Sequence, residues 1–149
     1  MHENQSPRQE GETPAEEVQI ALIAAALDRW YADMGRQFGP LSRPQRRMLR
    51  LLSTDTPVRV GDLGEQLGLT TAGTTRMLDK LEGLGYALRS RSEQHDQRQV
   101  YVTLTPQGAS ALQEADQVFL ARMHTYLRRL SAEERGTLAD LLQILGTQS

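Results

Sequence analysis

The stretch VRVGDLGEQLGLTTAGTTRMLDKLEGLGY, Val58 to Tyr86, restricts the fold more than any other part of the chain. Two short runs of helical apolar spacing are separated only by Gly68-Leu69-Thr70. A helix near Val60 to Leu67 can end at Gly68, because a residue without Cβ takes the left-handed cap conformation at little cost. Thr70 can then cap the next helix with its hydroxyl. This is the spacing of a helix-turn-helix.

After Gly85 the pattern changes from helical to alternating. YALRS and QVYVTL have strand character, with Val100, Val102 and Leu104 pointing one way and Tyr101 and Thr103 the other. The polar run SEQHDQRQ between them therefore reads as a hairpin loop. Thr105-Pro106 supplies an N-cap and a first-turn proline for a long helix with Leu112, Phe119, Met123 and Leu130 on one face. SAEE then matches a capping box, Ser131 with Glu134, ahead of Leu138, Leu141, Leu142 and Leu145.

On the N-terminal side, Val18, Leu22, Ile23, Ala26, Leu27, Trp30, Tyr31, Met34 and Phe38 predict one long amphipathic helix ending near Gly39-Pro40. A second helix follows Ser42, with Pro44 in its first turn and Met48, Leu49 and Leu52 inward. Residues 1–14 are polar and read as a disordered tail. The predicted fold is mainly α: a winged helix-turn-helix over 41–105 with a two-stranded β wing, preceded by a long helix over 15–40 and followed by C-terminal helices over 106–149.

With 149 residues the chain has room for one ordinary domain plus appendages. It contains no cysteine, which excludes disulfides, thiolate metal sites and thiol switches, and fits a reducing cytoplasm. No apolar run approaches the roughly 18 to 20 residues of a membrane span, and MHENQSPRQEGETP lacks the pattern of a secretion signal. The expected location is cytoplasmic. The net charge of -2 conceals an uneven distribution. Residues 1–40 carry three Lys/Arg against seven Asp/Glu, residues 41–105 ten against seven, and residues 106–149 four against five. The basic segment is the helix-turn-helix, which suits a polyanionic partner, although a mixed-charge surface is the competing reading.

On a helical wheel beginning after Thr70, Met77, Leu81 and Leu84 fall on the core side with Thr74 at its margin. Thr71, Ala72, Thr75, Arg76 and Asp79 fall opposite. Small and hydroxyl residues with one arginine fit a major groove, where close approach, base-edge hydrogen bonds and bidentate guanine contacts are available. A plain solvated face is the alternative. In the hairpin, Arg98 near the tip can enter a minor groove, Arg89 and Arg91 on the incoming strand can meet phosphates, and Asp96 can steady Arg98.

LTTAGTTRMLDKLEGLGY, DQR in the wing, VTLTPQG and LSAEERGTLADLL together resemble the multiple antibiotic resistance regulator (MarR) family of bacterial transcription factors, over about Leu41 to Leu145. The family's wing pattern is Asp-x-Arg followed by a small residue; Asp96 and Arg98 match, and Gln99 departs from it. The resemblance implies a homodimer whose terminal helices interlock, bound to double-stranded DNA at a pseudo-palindromic operator, most simply as a repressor. It also implies a small aromatic or anionic effector held between the dimerisation helices and the DNA-binding lobe. Trp30, Tyr31, Met34, Arg46 and Met48 are the candidates for that pocket, Arg46 standing where the family usually has an aromatic. The competing reading leaves the apolar residues in the core and Arg46 in solvent or on a phosphate.

Enzymatic chemistry has no foothold. A phosphate loop, HExxH, G-x-S-x-G and a recognisable acid pair are all missing from the sequence, and His2, His95 and His124 are scattered. Neither a cofactor nor a metal is expected. The remaining rival is a winged-helix module that binds protein instead of DNA.

Overall fold

Local capping chemistry sets most of the element boundaries in the computed structural model, which describes residues 14–91 and 99–146. The first helix, α1, runs Pro14–Asp33. It stops short of the expected end at Gly39-Pro40, because Gly35 turns to φ +75°. Its amide donates to the Ala32 carbonyl at 3.1 Å, closing the last turn. Phe38, expected on the helix, instead belongs to a two-residue strand, β1 (Gln37–Phe38), paired antiparallel with β2 (Leu41–Ser42). The chain up to Gly35 and the chain from Arg36 form two units. In the first, no residue of α1 is buried.

The second unit contains the remaining elements. Helix α2 (Arg43–Leu49) opens with a capping box: the Ser42 amide donates to Gln45 Oε1 at 2.8 Å and the Gln45 amide to Ser42 Oγ at 3.4 Å. Strand β3 (Val58–Arg59) leads into α3 (Val60–Leu67), which ends at Gly68 with φ +64°. Helix α4 (Thr71–Gly83) then starts on Thr70, whose Oγ1 accepts from the Gly73 amide at 3.1 Å. The two helices approach closely at Gly64, where a Cβ would sit 2.6 Å from Thr74 Oγ1.

Strands β4 (Ala87–Arg91) and β5 (Val100–Leu104) make the wing hairpin, with Ala87 opposite Leu104 and Arg91 opposite Val100. The sheet has a third member that the alternation did not reveal. β3 pairs with β5, giving the order β3-β5-β4. Two residues are too few to show a period of two.

Helix α5 (Pro106–Leu127) is capped by Thr105, and α6 (Ala132–Gly146) by the Ser131–Glu134 box at 2.7 and 3.1 Å. The inward face of α5 is lined by Gly108, Ala111 and Ala115, while Leu112, Phe119 and Met123 are only half-buried and Leu130 lies past its end. Small residues are needed there, since a Cβ on Gly108 would collide with the Tyr86 carbonyl.

Phe38, Leu41, Met48, Leu49, Leu63, Leu78, Leu81 and Val102 are the fully buried centre. The buried side of α4 is therefore turned slightly from the one that the helical wheel predicts. Thr74, Leu78 and Leu81 face inward, Met77 is half-buried, and Leu84 is exposed because it caps the helix instead of continuing it. No described helix is long and apolar enough to cross a membrane.

Candidate nucleic-acid interface

Burying Thr74, Leu78 and Leu81 fixes which side of α4 is left outside. Thr71, Ala72, Thr75 and Arg76 are all exposed, as the wheel required. Thr74 turns its hydroxyl back to the Thr70 carbonyl at 3.0 Å, so the hydroxyls left outward in the first turns are those of Thr71 and Thr75. Arg76 makes no ion pair among the described residues. It borders a cleft of about 240 Å³ with Ser42, Pro44, Gln45, Gly73, Met77 and Lys80. That cleft brings the start of α2 beside two cations of α4, a pairing invisible in the sequence spacing.

The wing arginines divide. Arg91 is exposed and makes no ion pair among the described residues. Arg89, read from the sequence as a phosphate contact, is instead held by the protein. Its amide donates to Glu82 Oε1 at 2.8 Å, its Nε to Glu82 Oε2 at 2.8 Å, and its Nη2 to both Glu82 and Asp79. The hydrogen bond from Arg89 holds the Glu82 carboxyl below its usual range, against the opposing effect of burial. Bonds to Glu82 and then Asp79 raise Arg89 in turn. The helical wheel puts Asp79 on the exposed face, where it is, but cannot supply its partner, which lies ten residues on in β4.

Asp96 and Arg98 lie outside the described residues. At the edge of that segment the departure from the wing pattern has a local role: Tyr101 Oη donates to Gln99 Oε1 at 3.0 Å.

The candidates for an effector pocket separate as well. Trp30 and Tyr31 are exposed on α1 and Met34 is buried just after it. Met48 is fully buried in the centre of the second unit, which is the core reading. Arg46 is not solvated but paired within the protein. Only 11% of its side chain is exposed; Nε donates to Asp116 Oδ1 at 2.7 Å and the guanidinium lies 4.1 Å over the Phe119 ring. Arg50 joins the same carboxylate at 3.2 Å. Arg46, Arg50, Asp116, Phe119 and Leu120 line a cleft of about 380 Å³. The pairing of Arg46 with Asp116 and Phe119 is not visible in the sequence, because α2 and α5 are some seventy positions apart and only the packed fold brings them together.

Among the described residues no three His, Asp or Glu side chains could hold a metal ion. Residues 41–100 match the family model described as MarR family. The chain is 33% identical over 105 residues to the uncharacterized HTH-type transcriptional regulator YfiV of Bacillus subtilis, covering 70% of this chain and 65% of that protein. It is 34% identical over 105 residues to the organic hydroperoxide resistance transcriptional regulator of the same organism, covering 66% and 69%. The chain thus spans slightly under or slightly over two thirds of these relatives. In fold it is similar to Bordetella bronchiseptica BpsR, whose DNA binding is regulated by 6-hydroxynicotinic acid, with TM-score 0.69, 20% identity and coverage of 86% and 98%.

Proposed function

The chain belongs to the MarR family, and on that premise we propose that it is a transcriptional regulator that binds double-stranded DNA as a homodimer at a pseudo-palindromic operator. The observation that carries the reading is the outer side of α4, where Thr71, Ala72, Thr75 and Arg76 are exposed and Arg76 has no ionic partner among the described residues. Such a face can lie against base edges without first breaking bonds of its own. Arg91 approaches the backbone from the wing, and Arg98 with Asp96 is assigned to the adjacent minor groove.

Dimerisation is supported by apolar surface. Val18, Leu22, Ile23 and Leu27 on α1, and Leu141, Leu142, Ile144 and Leu145 on α6, are each more than half exposed. Stripes of this size are unusual on a monomer and suit a two-fold partner. Two copies then present two α4 helices to successive major-groove segments about one helical turn apart. Repression follows most simply from occupying a promoter. Sites selected from random DNA by the full chain test this: two related half-sites about ten base pairs apart are expected, and a single asymmetric half-site would contradict it.

The Arg46–Asp116 cleft supports a second element, release by a small aromatic acid. Phe119 offers a ring, and a ligand carboxylate can compete with Asp116 for Arg46 and Arg50. With no cysteine in the chain, a response by thiol oxidation is closed to it. Addition of benzoate or 6-hydroxynicotinate should weaken DNA binding by the wild type and leave Arg50→Ala less affected; equal effects on both would remove this cleft from the account. A winged-helix module that binds only protein is the rival, and its outer α4 face would be silent toward DNA.

A further inference from the structure

We propose that Arg89 is a positioning residue, a clamp that sets the wing against the recognition helix, and not one of the DNA contacts. Asp79 and Glu82 stand three residues apart on the last turns of α4, on the side that meets β4. β4 is an outer strand of its sheet. The Glu82 carboxylate closes that open edge by accepting the Arg89 amide on one oxygen and the Arg89 guanidinium on the other. Asp79 takes the far end of the same guanidinium. One side chain and its own amide thus join the two parts that must reach DNA together, the helix in one groove and the hairpin beside it. Arg89 lies opposite Val102, which is fully buried, so the clamp attaches where the hairpin is already rooted in the core.

The geometry requires a fork. A guanidinium reaches two carboxylates at once through fixed donors, whereas a lysine ammonium is a point charge on a flexible stem. A phosphate contact tolerates that exchange far better, because charge neutralisation sets its contribution. The two roles therefore give opposite results for charge-preserving variants.

The consequence at DNA rests on the function proposed above, so the test has one arm with DNA and one without. The DNA arm titrates full-length wild type, Arg89→Lys and Glu82→Gln against a duplex selected from random DNA by the wild type, over a salt series. Arg89→Lys should weaken binding about tenfold with the salt slope unchanged, Glu82→Gln should weaken it similarly, and the double variant should be no worse than either, as for residues acting as one unit. Arg89→Lys binding like wild type, or Glu82→Gln binding more tightly because a negative charge has gone, would overturn the clamp. The second arm follows amide hydrogen exchange in the free protein. Glu82→Ala should speed exchange at Arg89 while leaving amides of α5 unchanged; no change at Arg89 would overturn the proposal whatever happens with DNA. Asp79→Asn, a milder change at a largely exposed carboxylate, should give a smaller shift in the same direction. Failure of the wild type to bind any duplex would remove the DNA reading alone, leaving the exchange arm to decide the clamp.

Discussion

The lobe from Leu41 to Leu104 and the helix α6 are built from similar residues and end in opposite states. In the lobe, Leu41, Met48, Leu49, Leu63, Leu78, Leu81 and Val102 are fully buried. In α6, no residue is buried, and Leu141, Leu142, Ile144 and Leu145 stay largely exposed. Leucine content does not separate the two; closure does. The lobe's elements meet each other through close approaches such as Gly64 on Thr74, whereas the apolar side chains of α6 stay more than half exposed. Helix α4 repeats the contrast in small: in its first turns Thr71, Ala72, Thr75 and Arg76 are exposed, with Arg76 in no ion pair among the described residues, and its last turns are bound to β4 through Asp79 and Glu82.

The sharpest way to break the comparison is Leu142→Glu. If α6 is completed by a second copy, each substitution places an unpaired carboxylate in an apolar interface, at roughly 3 to 5 kcal/mol per site. Sedimentation should show monomer at concentrations where the wild type is dimeric. An unchanged sedimentation coefficient would make the face ordinary surface.

Leu78→Ala probes the closed side. It removes a fully buried side chain and should lower unfolding stability by about 2 to 5 kcal/mol, measured by denaturant titration at fixed protein concentration. A loss below about 1 kcal/mol would mean that the lobe is less closed than its burial indicates.

How far the sequence could show this division depends on the range of the interaction. Ser42, Thr70, Thr105 and Ser131 each cap a helix within three residues, and Gly68 needs only its own φ, so the helix starts and the turn were readable. The exposed side of α4 followed from the helical period. Arg89 and Arg46 were not readable in this way, because their carboxylates arrive from other elements: Glu82 from α4, and Asp116 from α5. Phe38 was misplaced for a related reason. Helical spacing carried the apolar pattern through Gly35, where the backbone had already left the helix. Thr74 and Leu78 take the core side of α4 in place of Met77, in keeping with the close approach of Thr74 to Gly64, and Leu84 is exposed at the cap.

Arg76→Ala sharpens the contrast within α4. It should cost roughly 1 to 3 kcal/mol per half-site and relax base preference inside the half-site, whereas Arg91→Ala should weaken binding to all sequences alike and reduce the salt slope by about one. Sites selected with each variant distinguish the two; identical selected sequences for wild type and Arg76→Ala would move Arg76 from bases to backbone.

The smallest expected effect is acid dependence at the clamp. Glu82 is held below its usual range in the folded chain, so its contribution is present above the usual glutamate value and is lost as pH falls through the lowered one. Stability differences between wild type and Glu82→Gln should therefore shrink toward zero in that acidic window. A difference that persists unchanged through it would place the stabilisation in shape and not in charge.

The most direct measurement is the binding of full-length wild type to random and selected duplex DNA across a salt series. Binding at low salt that falls steeply as salt rises, with the selected duplex retained longest, is the expected result for a charged face and wing meeting several phosphates per subunit. No binding to any duplex at low salt would contradict the account and favour a winged-helix module that recognises protein.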